Sequence, residues 1–168
     1  MERCEEMLLV LGSDLGDRQG SLQEAIRLIG NTVGTVTSTS RIFETEPWGF
    51  SSETRFLNQA IAVITDMTAI EVLRAIKSIE AEIGRSESSS QNYQSRLIDI
   101  DIIYIGNNII ATTDLKVPHP HRTKRRFVLT SLADIAYDFR DPVSGMTISE
   151  MLECCDDDSR VEPYLTGK

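Results

Sequence analysis

Cysteine is scarce in this 168-residue chain, limited to Cys4 and the adjacent Cys154 and Cys155. Three cysteines cannot close into an even disulfide framework, and neither Cys-x-x-Cys nor His-x-x-x-His spacing occurs. Disulfide scaffolds and zinc modules are therefore excluded, and free thiols are expected. Long apolar runs are missing too. No stretch approaches a bilayer span, and the start, Met1-Glu2-Arg3-Cys4-Glu5-Glu6, is too polar for a secretory signal, so a cytoplasmic protein away from membranes is expected. Basic residues are few: 17 Lys and Arg against 26 Asp and Glu leave a net charge of −9. Polyanion binding needs an extended basic surface, so no nucleic-acid partner is expected. Phosphate-cradling glycine loops are lacking as well. No Gly-x-x-x-x-Gly-Lys-Ser/Thr occurs, and Gly12, Gly16 and Gly20 do not fit the dinucleotide fingerprint. Any nucleotide must be held by side chains and metal.

With 40% hydrophobic and 26% charged residues, the chain has the composition of an ordinary globular domain. Its length suits one domain, expected over residues 1–155, with 156–168 as a flexible tail. Met7 to Leu11 reads as a buried strand ended by Gly12-Ser13-Asp14. Leu22, Ala25, Ile26, Leu28 and Ile29 share one face of a helix from Arg18 to Ile29. Val33 to Phe43 alternates as a second strand, and Leu57 to Thr65 is a third. Thr68 to Ile83 is a helix with Thr68 as N-cap and Glu71 three residues on. The aperiodic, serine-rich 86–95 reads as a mobile loop. Ile98 to Ile105 is a fourth strand, with Gly106-Asn107 turning it back on Asn108 to Ala111. Short helices follow from Phe127 and Thr147. The order β-α-β-β-α-β predicts an α+β, ferredoxin-like antiparallel sheet with both helices on one face, a C-terminal hairpin and short helices. The other face is left open for ligands.

The most informative segment is Leu97-Ile98-Asp99-Ile100-Asp101-Ile102-Ile103-Tyr104. In a strand alternate side chains share a face, so Asp99 and Asp101 point the same way, roughly 6.6 Å apart, while Ile98, Ile100 and Ile102 point into the core. Two like charges there persist most easily with a hard divalent cation between them. Arg85, Arg96 and the run His119 to Arg126, with Arg122, Lys124 and Arg125, lie close in sequence. Carboxylates for metal beside guanidiniums for phosphate suggest nucleotide chemistry. For an isolated Asp-x-Asp, a strand with a wet polar face is the commoner explanation.

Seven short pieces in order resemble the 6-hydroxymethyl-7,8-dihydropterin pyrophosphokinase family of folate biosynthesis. They include Leu11-Gly12-Ser13-Asp14-Leu15-Gly16-Asp17, Phe43-Glu44-Thr45-Glu46-Pro47-Trp48-Gly49, Phe56-Leu57-Asn58, Glu80-Ala81-Glu82-Ile83-Gly84-Arg85, Arg96 to Ile102 and Val117-Pro118-His119-Pro120. The resemblance implies transfer of pyrophosphate from ATP to the pterin hydroxymethyl oxygen, with release of AMP. By the same resemblance Asp99 and Asp101 hold two magnesium ions, and Arg85 and Arg96 are loop arginines that fork onto phosphate oxygens. Glu80, Ile102, His119 and Arg125 complete the ATP site. Phe56 and Phe127 sandwich the pterin, Asn58 reads its polar edge, and Thr45, Pro47, Trp48 and Tyr93 finish that pocket. ATP and a reduced pterin are the implied partners of a monomer.

The chain departs from the family where Tyr93-Gln94-Ser95-Arg96 replaces a common Gly-Pro-Arg, and where Ser86 and Glu87 follow Arg85 in place of a second basic residue. Two other readings stand beside the main one. The first is a ferredoxin-like nucleotide-sensing module without catalysis, and the second is another two-metal nucleotidyl or phosphoryl transferase.

Overall fold

A computed structural model describes residues 5–46, 55–84 and 97–165, with the backbone of Arg85. Strand β1 (Glu5–Ser13) lies between β5 (Asp99–Ile105) and β4 (Phe56–Thr65), antiparallel to both. Along β4's other edge run β2 (Thr35–Thr39) and then β3 (Phe43–Thr45), which gives the order β5-β1-β4-β3 with β2 also on β4. With β2 and β3 taken as one broken strand, this is the expected ferredoxin-like arrangement.

Both faces of β1 are apolar because both are covered. Met7, Leu9 and Leu11 pack with Leu22, Ile29, Val72, Ile76 and Ile79 of helices α1 (Arg18–Thr32) and α2 (Ala69–Arg85). Leu8 and Val10 pack on the opposite side with Val128, Leu129 and Leu132 of α3 (Arg126–Ala136) and Ile148 and Met151 of α4 (Ile148–Glu153). The caps foreseen in the sequence form: Glu71 Oε2 accepts the Thr68 N–H at 2.7 Å, and Thr68 Oγ1 accepts the Glu71 N–H at 3.4 Å. Gly34 permits a close approach, since a Cβ there would sit 2.2 Å from the Ile64 carbonyl oxygen.

Four expectations are corrected. The strand expected over 33–43 breaks at Ser40, whose hydroxyl accepts the Ala60 N–H at 2.9 Å, and Arg41 turns its N–H to Asp134 of α3 at 2.9 Å. The open sheet face is partly roofed by α3 and α4, because Leu8, Val10, Ala60 and Ala62 there are apolar and demand burial. The turn at Gly106 (φ 49°) exists, but β6 (Ile110–Ala111) pairs with β7 (Lys116–Val117) rather than with β5. Thr112 and Leu115 close that tighter hairpin with N–H to carbonyl and N–H to hydroxyl bonds, both 3.0 Å. Finally, the expected tail contains β8 (Val161–Pro163), which pairs with β3. The Tyr164 N–H also bonds the Ile42 carbonyl at 2.8 Å, so β3 has a partner on its outer edge. The loop expected over 86–95 lies outside the described residues.

Candidate active site

The strand register assembles the site. Gly12 of β1 lies opposite both Asp99 of β5 and Asn58 of β4, and Val10 lies opposite Asp101 and Ala60. Paired residues of an antiparallel ladder share a face, so both aspartates stand beside Gly12 and Asn58 on the α3 side, while Ile98, Ile100 and Ile102 join the core under α1 and α2. The parity read from the sequence holds. Beyond the cover of α3, this face opens into a cavity of about 170 Å³ lined by Val10, Gly12, Thr45, Glu46, Phe56, Asn58, Asp99, Asp101, Arg125 and Phe127.

At one end the lining combines aromatic rings with a buried amide. Asn58 is 2% exposed, and its Nδ2 donates to Thr45 Oγ1 at 2.8 Å, which fixes the amide plane. Phe56 and Phe127 line the same cavity from β4 and α3. Gly12 was not singled out as a site residue from the sequence, yet it forms the floor: a Cβ there would lie 3.0 Å from Asn58 Oδ1 and 3.8 Å from the Phe56 ring. The available signal was a glycine ending an apolar strand, which marks close approach of another group.

The other end is charged. Burial, and then the neighbouring Asp99, push the Asp101 carboxyl up to about 6, with the Arg125 guanidinium pulling against them. Arg125 Nη1 stands 3.5 Å from Asp101 Oδ2, and its guanidinium carbon lies 6.0 Å from the Phe127 ring centre, so it adjoins both ends of the cavity. His119 reaches the site through a β-bulge. The pairing of β5 with β1 steps from Tyr104 to Ile102, and the Ile103 carbonyl accepts the His119 N–H at 3.0 Å. The His119 Nε2 then lies 3.9 Å from Asp101 Oδ2. Burial, with Arg125 adding to it, lowers the imidazole to about 4, and its Nδ1 accepts the His121 N–H at 3.1 Å. The ring is therefore neutral at pH 7 with its proton on Nε2.

Asp99 and Asp101 supply hard carboxylate oxygens on one face, and among the described residues no cluster of three or more His, Cys, Asp or Glu is placed to hold a metal. Two carboxylates with room for phosphate oxygens and water are the donor set that suits magnesium.

Other members of the basic run turn to partners outside the cavity lining. Arg122 makes a two-pronged ion pair with the buried Asp141, and Arg126 bonds Asp157 and the Cys155 carbonyl. Glu80 of α2 accepts the Ile100 N–H at 2.9 Å at the outer edge of β5, and burial raises its carboxyl. The Ile102 side chain is 5% exposed in the core, so neither Glu80 nor Ile102 lines the cavity. Pro47, Trp48, Tyr93, Arg96 and the Arg85 side chain lie outside the described residues.

This site can be set beside known proteins. The profile of the family described as 7,8-dihydro-6-hydroxymethylpterin-pyrophosphokinase matches residues 8–137. The chain belongs to this pyrophosphokinase family. A relative in Porphyromonas gingivalis, 2-amino-4-hydroxy-6-hydroxymethyldihydropteridine pyrophosphokinase, is 38% identical over 76% of this chain and 88% of its own. The protein of that name in Bacillus subtilis is 33% identical over 94% of both chains. A folate synthesis bifunctional protein of Arabidopsis thaliana is 38% identical over 78% of this chain, which spans 27% of that protein. In fold, the pyrophosphokinase resembles the wild-type HPPK-DHPS of Plasmodium falciparum with pteroate, at a TM-score of 0.74 and 16% identity over 92% of this chain. It spans less than half the length of that solved chain, 43%. Family membership makes it an ATP-dependent transferase of folate biosynthesis and sets aside the sensing module.

Proposed function

We propose that the cavity between β5, β1, β4 and α3 is where this pyrophosphokinase joins ATP to 6-hydroxymethyl-7,8-dihydropterin, giving AMP and the pterin diphosphate. The observation that carries the location is the register that sets Asp99 and Asp101 beside Gly12 and Asn58, in one cavity with Phe56 and Phe127.

The pterin lies over Gly12 between the Phe56 and Phe127 rings, where stacking supplies affinity. Asn58, held by Thr45, reads the donor and acceptor edge of the ring, because a buried amide left unpaired would be costly. Pro47, Trp48 and Tyr93 complete this half. Asp99 and Asp101 would hold two magnesium ions, which when bound would neutralise charge on the phosphates and acidify the substrate hydroxyl. Arg125 faces the triphosphate from the start of α3. His119, with Nδ1 already accepting, turns its Nε2–H towards phosphate oxygen. The adenosine lies along the outer edge of β5, near Glu80 and the main chain at Ile102. The hydroxymethyl oxygen gives up its proton to solvent and forms its bond to the β-phosphorus as the bond from that phosphorus to the α–β bridging oxygen breaks, so charge grows on AMP. Arg85 and Arg96 are assigned to meet that charge in the bidentate geometry available to guanidinium.

We also place the enzyme in the cytoplasm as a monomer, in one domain. Among the described residues no helix is long and apolar enough to cross a membrane. Product analysis tests the reaction: AMP must form from ATP only when the hydroxymethyl pterin is present. ADP or free pyrophosphate as the product would reject it in favour of another phosphoryl or nucleotidyl transfer.

A further inference from the structure

Helix α3 starts without a cap of its own. Its N-cap position is Arg125, in extended backbone (φ −117°, ψ 104°), and the Arg125 side chain makes no capping bond. A serine, threonine, aspartate or asparagine would normally stand there to accept a first-turn N–H. None of these could replace Arg125, whose Nη1 must extend to 3.5 Å from Asp101. The site has taken the position where the helix needs an acceptor.

The acceptor comes from 31 residues further along. Asp157 Oδ2 accepts the Arg126 N–H at 2.9 Å, which places a carboxylate at the positive end of the α3 dipole. The Asp157 carbonyl accepts Arg126 Nε at 2.6 Å, and the Cys155 carbonyl accepts Nη2 at 3.1 Å. Asp157 is itself held in place: its Oδ1 takes the Ser159 N–H at 3.0 Å and hydroxyl at 2.6 Å. From there the chain enters β8, where Val161 lies opposite Thr45. Segment 155–164 thus straps the first turn of α3 to β3. Arg126 is flanked by Arg125 and Phe127, both in the cavity lining, and Thr45 lines the same cavity. The strap lies beyond residue 137, where the family match ends.

We propose that Asp157 is a positioning residue of the active site. Acting through Arg126, it supplies the cap that Arg125 cannot, and so sets the direction of Arg125 toward the phosphates and of the Phe127 ring against the pterin. It touches neither substrate, and its role rests on the reading of the cavity given above.

The test is steady-state kinetics on the full chain, with both substrates varied, for Asp157→Ala, Asp157→Asn and Arg126→Ala. Loss of a cap of this kind corresponds to about a tenfold effect, expected as a rise in KM for the pterin and a fall in kcat/KM for ATP. Asp157→Asn, which keeps an acceptor oxygen, should recover most of the loss. A double variant, Asp157→Ala with Arg126→Ala, should be no worse than Arg126→Ala alone. Should Asp157→Ala fail to fold, Asp157→Glu keeps the charge and moves the oxygen, with an expected rise of about threefold. A strap that merely holds the fold would lower kcat through the active fraction and leave both KM values alone; that result, or wild-type constants in Asp157→Ala, overturns the proposal. Wild-type enzyme that made no pterin-dependent AMP would instead sink the reading of the cavity.

Discussion

The ion pair behind His119 gives the most quantitative prediction. Asp141 is 1% exposed, and its carboxylate receives Arg122 Nε and Nη2, the Tyr104 hydroxyl at 2.6 Å, and the N–H groups of Val143 at 2.8 Å and Ser144 at 2.9 Å. In Asp141→Ala the last two donors rehydrate, since Val143 and Ser144 are exposed. Arg122, nearly buried, and the Tyr104 hydroxyl, fully buried, lose their acceptor. Breaking a buried pair from one side costs about 3–5 kcal/mol, which at this chain length lowers Tm by about 6–20 °C. Burial alone would raise the Asp141 carboxyl, but the bonds from Arg122 and Tyr104 outweigh it and hold the group well below the usual carboxylate range. A carboxylate depressed in the fold stabilises above its unfolded pKa, and that contribution fades as pH falls. The gap between wild type and Asp141→Ala should therefore be full at pH 7 and narrow by about 1.4 kcal/mol per pH unit below about pH 4. Urea denaturation at pH 7 and pH 3 measures both. Arg122 Nη1 also holds the His119 carbonyl at 3.1 Å, so well below its melting point the variant should show a several-fold higher KM for ATP and an unchanged KM for the pterin. Equal stability at pH 7, or a gap that ignores pH, would refute the reasoning.

Asp99→Asn and Asp101→Asn should each lower kcat by about 10³-fold or more while far-UV circular dichroism stays that of wild type, because both side chains face the cavity and not the core. Retained magnesium-dependent turnover would remove them from the metal site. Gly12→Val should fill the proposed pterin floor, where a Cβ would meet Asn58 Oδ1 at 3.0 Å, and abolish pterin binding in calorimetry while a non-hydrolysable ATP analogue still binds. Loss of both ligands would mean that the strand had moved. Asn58→Leu removes the polar reader in a similar volume, and selectivity for the pterin over an aromatic bicycle lacking its amide edge should fall by about 10²-fold or more. Unchanged selectivity would assign recognition elsewhere.

Much of the fold was legible because the signals are local. The alternation through Ile98, Ile100 and Ile102 set which way the two aspartates point, and Thr68 with Glu71 marked where α2 begins. Errors arose where a distant partner decided the outcome. Nothing near Ser40 announces that Ala60 will claim its hydroxyl and end the strand, and nothing in 156–168 shows that β3 offers a free edge. The basic run illustrates the same limit: Arg122, Arg125 and Arg126 look alike in sequence, and Asp141, Asp101 and Asp157 sort them into fold, site and strap. Gly12 carries no local mark of its place in the cavity, because what matters there is the lack of a side chain beside Asn58 and Phe56.

The sequence by itself determined the family, the strand and helix periods and the paired carboxylates, since each is written in neighbouring residues. Only the tertiary structure decided which arginine of the 122–126 run faces the cavity, where that cavity opens and what caps α3. Those outcomes depend on register and burial, which bring together side chains that are far apart in the chain.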